Sequence, residues 1–176
     1  DGSTDGTKEL VAQWQACENG YPIRYIYKQN GGLHTGYNTA IANMDTELSV
    51  CIDSDDSMRE DAIERILTEW QSVKDSGAAG LIGLDLDQTG KLIGKPLPEG
   101  ELINAASLLC IPGMGDKKYV VRNDLLRTVA PMPVFEGEKN FNPHYLIIKL
   151  SKEHCFHPVN QCFCLVEYQP DGMTAN

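Results

Sequence analysis

Leu48-Ser49-Val50-Cys51-Ile52-Asp53-Ser54-Asp55-Asp56 is a short apolar run that stops on three carboxylates, and Ile63, Ile66, Leu67, Trp70 and Val73 follow it at helical intervals. The pattern is a buried strand handing over to an amphipathic helix. Ser57, with Glu60 three residues on, reads as a capping box, which starts the helix there and leaves the acids in the strand-to-helix loop. Two carboxylates at the end of a hydrophobic strand, Asp53 and Asp55, are expensive to bury uncompensated, so a cationic group is expected beside them. Hard oxygen ligands so spaced suit Mg²⁺ or Mn²⁺, which bind one or two carboxylates and are completed by substrate phosphates and water. The plainer alternative is a solvated turn in which Asp56 or Ser57 caps the next helix. Asp53, Asp55, Ser57, Asp61 and Glu64 also fall in the register of a calcium-binding EF-hand loop. Against that, Met58 stands where the loop's sharp turn needs Gly, and the preceding segment is strand-like.

Upstream, Asp1-Gly2-Ser3-Thr4-Asp5-Gly6-Thr7 is a turn-rich loop feeding a helix from Lys8, whose apolar positions Leu10, Val11, Trp14 and Cys17 have helical spacing. Ile23-Arg24-Tyr25-Ile26-Tyr27 is β-branched and aromatic and reads as a strand. Asn30-Gly31-Gly32 is a turn, and a helix over 35–44 carries Tyr37, Ala40, Ile41 and Met44 inward. Downstream, strands are expected at Gly80–Leu84, Tyr119–Val121 and Gln161–Tyr168, with a turn-rich, hairpin-like stretch from Asp85 to Gly100. Short helices are expected over 101–109, over 124–129 behind Asn123 as N-cap, and after Asn142-Pro143, with Tyr145, Ile148 and Lys149 following. Strands alternating with helices predict an α/β fold with a mostly parallel sheet, whose ligands bind at the carboxyl ends of the strands.

Composition narrows the function. The 176 residues are 41% hydrophobic and 23% charged, ordinary for one compact domain, and the formal charge of −10 argues against a nucleic-acid partner held by counterion release. No stretch approaches the ~20 apolar residues of a membrane span. Six cysteines without framework spacing read as reduced thiols of a cytoplasmic protein. The chain opens abruptly at Asp1 without an initiator Met or signal peptide and reads as a piece of a longer one.

Asp1-Gly2-Ser3-Thr4-Asp5-Gly6-Thr7, then Asn30-Gly31-Gly32 with His34-Thr35 and Asn38, then Ile52-Asp53-Ser54-Asp55-Asp56, resemble in order and spacing the signatures of family 2 glycosyltransferases of the GT-A fold. Gly137-Glu138-Lys139 and the closing 166–173 stretch, Val166-Glu167-Tyr168-Gln169-Pro170-Asp171-Gly172-Met173, resemble one bacterial branch of that family, so the likeness covers nearly the whole chain. The resemblance implies metal-assisted, inverting transfer of a sugar from a nucleotide-sugar donor, a UDP-sugar foremost, to a glycan or lipid-linked acceptor. The setting it implies is the cytoplasm or, by peripheral attachment, the inner face of the membrane. It implies a donor-binding part over 1–84 and an acceptor-side part over 85–176. It also implies that the family's first strand and helix, which precede the position of Asp1, lie outside this sequence.

Carried over by position, Asp1 matches the residue that contacts the nucleotide base or ribose, Asp53 the ribose and phosphate side of the acidic motif, and Asp55 the ligand of Mn²⁺ or Mg²⁺. Asn38 matches the helix position on the diphosphate side, with Tyr37 before it where the family often has Arg. On the residues alone Asp1 reads first as a turn former ahead of the helix. Inverting displacement needs a base for the acceptor hydroxyl, and Glu138 matches it. Glu136 shares a face with Glu138 if the segment is extended, and Glu138 reads otherwise as a surface carboxylate paired with Lys139. His144 stands where that branch carries an acid. His154, Cys155, His157, Cys162 and Cys164 lack convincing zinc spacing and read as buried thiols and ordinary histidines. His34 reads as a hydrogen-bonded structural residue. Two other functions fit the residues. A sugar nucleotidyltransferase would want a Gly-rich basic phosphate loop, which is not seen here. The other is a non-catalytic sugar-nucleotide-binding module.

Overall fold

A computed structural model of the chain describes residues 1–168, so the 169–173 part of the closing motif lies outside the described residues. The helices are α1 (Thr7–Gln15), α2 (Leu33–Asn43), α3 (Ala62–Val73), α4 (Ala105–Leu108), α5 (Asn123–Val129) and α6 (His144–Leu150). The strands are β1 (Leu48–Val50), β2 (Ser57–Met58), β3 (Gly80–Asp87), β4 (Lys117–Arg122) and β5 (His157–Val166). They form one sheet in the order β1-β4-β3-β5-β2.

Side-chain alternation along β3 splits the core. Leu81 points into a cluster with Ile66 and Trp70 of α3, Val120 and Phe163, whereas Ile82 and Leu84 point into a larger cluster with Ile41, Leu126, Leu146 and Leu150 from α2, α5 and α6. The result is three layers, helix on sheet on helix, as the α/β reading requires.

The sheet itself departs from expectation, because only β3 and β5 pair in parallel; β1 with β4, β3 with β4, and β2 with β5 are antiparallel. A parallel crossover needs a helix that returns the chain along the length of a strand. Between β3 and β4 the only helix is α4, whose four residues rise about 6 Å against about 26 Å for the eight residues of β3. The chain therefore turns at the carboxyl end of β3 and re-enters there. Asp87 N–H donates to Lys91 O and Lys95 N–H to Met114 O, closing the hairpin-like excursion, and Lys117 Nζ donates to the carbonyls of Ile93, Met114 and Asp116. Even so, β1, β3 and β5 share a direction, so their carboxyl ends and the start of β4 meet at one edge.

Several local expectations are corrected. Ser57 does not cap α3: it is drawn into β2 opposite Leu165, and α3 begins at Ala62 behind Asp61. The Asp61 carboxylate is held by Arg59 and Arg65 instead of capping N–H groups, which also breaks the EF-hand register. Asn123 is the first residue of α5 rather than its cap; its buried amide accepts from Ser49 Oγ at 2.6 Å and donates to Thr46 O, pinning the start of β1. Ala40, expected inward, is exposed, and α6 turns Leu146, Ile147 and Leu150 inward. Ile23–Tyr27 makes no ladder, and Ile23 O and Arg24 are held by the side chains of Gln15 and Asp45. β-Propensity is realised only against a neighbouring strand. The apolar stripe of α1 is likewise uncovered, with Leu10 45% and Trp14 50% exposed.

Candidate functional site

Where β1 ends, the chain leaves the sheet through Cys51 and turns tightly, Asp56 N–H donating to Asp53 O at 3.0 Å. The acids of this edge differ sharply in what they already hold. Asp56 is committed: Oδ2 accepts from Lys118 Nζ of β4 at 3.3 Å and Oδ1 from Glu167 N–H at 3.3 Å. Lys118 and Asp56 side chains are 12% and 6% exposed. Here is the cation that charge at the end of an apolar strand demands. Asp53 and Asp55 accept no side-chain hydrogen bond from the described residues; burial raises the Asp53 carboxyl above its ordinary value, more than Lys118 lowers it. Tyr37 of α2 leans over this loop, its hydroxyl pushed well up by burial and by neighbouring Cys51 and Asp53.

Asp85, at the end of β3, completes the edge and was not foreseen. It is 1% exposed, its Oδ1 has no hydrogen-bond partner among the described residues, and burial pushes its carboxyl up to about 7. Asp116 lies just before β4 and accepts from Tyr168 OH at 2.8 Å. One signal for Asp85 was available: Leu84-Asp85-Leu86-Asp87 puts charges inside an apolar strand, which alone reads as an edge with a wet face. Two more were the lysines 117 and 118 opening another apolar run.

The glycine turn forms a second cluster. The Asp1 carboxylate accepts from Gly31 N–H and Gly32 N–H, the latter at 2.9 Å, and pairs with Lys28 Nζ. Both its oxygens are thus engaged in holding Asn30–Gly32 at the start of α2. Lys139 closes the same turn from outside: its carbonyl accepts from Leu33 N–H at 2.9 Å and its Nζ donates to Asn30 Oδ1 at 3.0 Å. Gly32 is obligatory here, with φ +95° and a Cβ that would come 2.6 Å from Lys139 O. Glu138 is therefore brought beside the Asp1 turn. It does not pair with Lys139; its Oε1 accepts from Asn140 N–H at 2.6 Å. Nor is its segment extended, because Glu138 N–H bonds Phe135 O across a turn with Gly137 at φ +80°, so Glu136 and Glu138 do not share a strand face.

Asn38 is turned away from both clusters, its amide exchanging two hydrogen bonds with the Met132 backbone. His34 lies in the first turn of α2, fully buried edge-on to Phe141, with neither ring nitrogen hydrogen-bonded among the described residues, against the expectation of a bonded loop histidine. All six cysteines are free, and His157 Nδ1 sits 2.8 Å from Glu101 O. Among the described residues no three His, Cys, Asp or Glu come together as a metal cage. A two-carboxylate site is another matter: among the described residues no side-chain cation bonds Asp53 or Asp55, and two such oxygen donors suit Mg²⁺ or Mn²⁺ completed by phosphate and water.

A profile described as Glycosyl transferase family 2 matches residues 1–97. Glycosyltransferase GlyA of Streptococcus pneumoniae serotype 4 (strain ATCC BAA-334 / TIGR4) is 33% identical over 75 residues, 41% of this chain and 10% of that protein. The crystal structure of S. aureus TarS 1-349 is similar at a TM-score of 0.60 and 16% identity, over 93% of this chain and 48% of that one. The TarS 1-349 structure in complex with UDP-GlcNAc gives 0.62 and 14%, over 100% and 50%. The chain thus spans about half the length of the solved chains and a tenth of the curated relative. At these identities the solved structures speak to fold: the α/β, GT-A-type architecture expected from the sequence, with the sheet mixed rather than mostly parallel. Among the described residues no helix is long and apolar enough to cross a membrane.

Proposed function

The chain belongs to glycosyl transferase family 2, and from that premise we propose that it moves a sugar, with inversion, from a nucleotide-diphosphate sugar to a glycan or lipid-linked acceptor. The observation that carries the proposal is the contrast within one loop: Asp56 is tied to Lys118, while Asp53 and Asp55 remain uncommitted at the edge where β1, β3 and β5 end. Asp55, aided by Asp53, would hold Mn²⁺ or Mg²⁺, which offsets charge on a departing nucleoside diphosphate when bound. A UDP-sugar is favoured because TarS, similar in fold, is solved with UDP-GlcNAc.

In this reading residues 1–84 serve the donor and residues 85–176 the acceptor, with Lys118 crossing from the second part to the first. Asp1 acts on the donor side by fixing the Asn30–Gly32 turn, and Asn38 by fixing α2. Glu138 takes the acceptor hydroxyl proton as that oxygen bonds to the anomeric carbon; the bond from that carbon to the diphosphate oxygen breaks on the opposite face. A lipid-linked acceptor would bring the protein to the inner face of the membrane.

Calorimetric titration of UDP and GDP, with Mn²⁺ present and then chelated, tests this. Metal-dependent binding of UDP in preference to GDP, lost in Asp55→Ala, is the expected result. Binding unchanged by chelation or by the substitution would overturn the metal assignment, and binding of neither nucleotide would overturn the donor reading.

A further inference from the structure

The acid edge gathers carboxylates at the place where the donor's diphosphate is proposed to lie. Asp53, Asp55, Asp56, Asp85 and Asp116 converge there, each acting on Lys118 or on another member of the group. Lys117 gives no relief, since its ammonium is engaged by backbone carbonyls on the far side of the strand. Lys118 is different. The register sets it opposite Gly83 and two residues from Val120, so it lies on the α3 face of the sheet, the face of Asp85, with Nζ reaching Asp56.

Resting on the donor reading above, we propose that Lys118 binds the diphosphate of the nucleotide donor, and that Asp85 positions it for that contact. An ammonium has three N–H donors. Asp56 accepts one and the Cys164 thiol lies beside the group, which leaves at least one N–H for a phosphate oxygen without breaking the Asp56 pair. Asp85 is fully buried on the same face, with an oxygen that meets no donor among the described residues, and it exerts the largest charge attraction on Lys118. A lone ammonium so buried would drift towards solvent; the Asp56 bond at 3.3 Å holds it at the loop, and Asp85, two residues along β3 from the Gly83 that faces Lys118, lies on the same side of the sheet.

The test compares UDP with uridine, which lacks the diphosphate, by calorimetry with Mn²⁺ on the wild-type chain and on Lys118→Met, Lys118→Arg and Asp85→Asn. Loss of one charge-assisted phosphate contact should weaken UDP by roughly 10- to 100-fold in Lys118→Met while uridine stays within about twofold. Lys118→Arg should retain most of the UDP affinity, and Asp85→Asn should weaken UDP by an intermediate factor, again sparing uridine. Should Lys118→Met fail to fold, Lys118→Gln, which keeps a polar tip for Asp56, is read in its place. Wild-type preference for UDP over uridine that survives Lys118 substitution overturns this assignment and leaves the donor reading standing. A preference lost with Lys118 but untouched in Asp85→Asn overturns the positioning role of Asp85. A wild-type chain that binds neither ligand overturns both.

Discussion

Asn38 and Met132, 94 residues apart in sequence, are joined by two hydrogen bonds: Met132 N–H donates to Asn38 Oδ1 at 2.7 Å, and Asn38 Nδ2 donates to Met132 O at 2.9 Å. The pair mimics a strand contact between a helix side chain and a loop backbone, and it fastens α2, which carries the glycine turn, to the segment that leads to Glu138. Asn38→Ala strands two half-buried backbone groups, at about 1–3 kcal/mol for such unsatisfied partners. Urea unfolding should show that loss of stability, with the UDP affinity of the folded fraction little changed. The opposite result, unchanged stability with weakened UDP binding, would return Asn38 to the diphosphate contact its sequence position suggests.

Asp85 should make stability fall as pH rises. Its carboxyl is pushed from 3.8 up to about 7, with burial outweighing the attraction of Lys118. A carboxyl raised on folding holds its proton more tightly in the native state. Its contribution is therefore most favourable below about pH 4 and is lost as pH climbs through about 7. At roughly 1.4 kcal/mol per pH unit the loss is at most about 4 kcal/mol. Denaturant unfolding of wild type and Asp85→Asn at pH 5 and pH 8 isolates the group from the others that titrate. Asp85→Asn should gain on wild type between the two; a constant difference would show that Asp85 is ionised throughout.

Gly83 faces the ring of Phe163, which would lie 2.1 Å from an added Cβ. β4 fixes that spot by pairing Lys118 with Gly83, and Phe163 is fully buried, so the ring has nowhere simple to go. Gly83→Ala should cost about 1–3 kcal/mol by overpacking. Adding Phe163→Leu, which removes ring volume, should recover part of the loss, giving a favourable coupling in a double-mutant cycle. Strict additivity would place the strain in the backbone instead. The Gly83 position also lies opposite Lys118, so the single variant should weaken UDP binding more than its stability alone requires.

What the sequence disclosed and what it hid follow from range. The passage from apolar run to Asp53-Ser54-Asp55-Asp56 is local, and it correctly located the acid loop and required a cation beside it. Which cation was not legible, because Lys118 reaches Asp56 only through the pairing of β1 with β4, a long-range choice that no local pattern encodes. The same limit explains Ser57, whose capping signal lost to a ladder with Leu165, and Asn123, whose amide serves Thr46 and Ser49 rather than its own helix. Asp85 was concealed for another reason: charges alternating with leucines imply a half-exposed strand, yet β3 lies between β4 and β5 with α3 over that face. The sheet's mixed direction was missed because alternation of strands and helices counts helices without weighing whether each is long enough to cross.

Glu138 and Glu136 can be separated by turnover. The turn from Phe135 to Glu138 sets the two side chains apart, and the bond from Asn140 N–H to Glu138 Oε1 orients one oxygen while leaving Oε2 for a hydroxyl proton. Lys139, tied to Leu33 and Asn30, anchors Glu138 beside the Asp1 turn, a constraint that Glu136 at the turn's outer corner lacks. If Glu138 is the base, Glu138→Gln should lower UDP release from UDP-GlcNAc by about 10²- to 10⁴-fold, the usual scale for removing a general base. Its affinity for UDP itself should stay unchanged, because the lost group acts only on the acceptor. Glu136→Gln should lie within about threefold of wild type on both measures, well short of that scale. Equal losses in the two variants would assign proton transfer to neither carboxylate alone, and loss confined to Glu136→Gln would move the base to the outer corner of the turn.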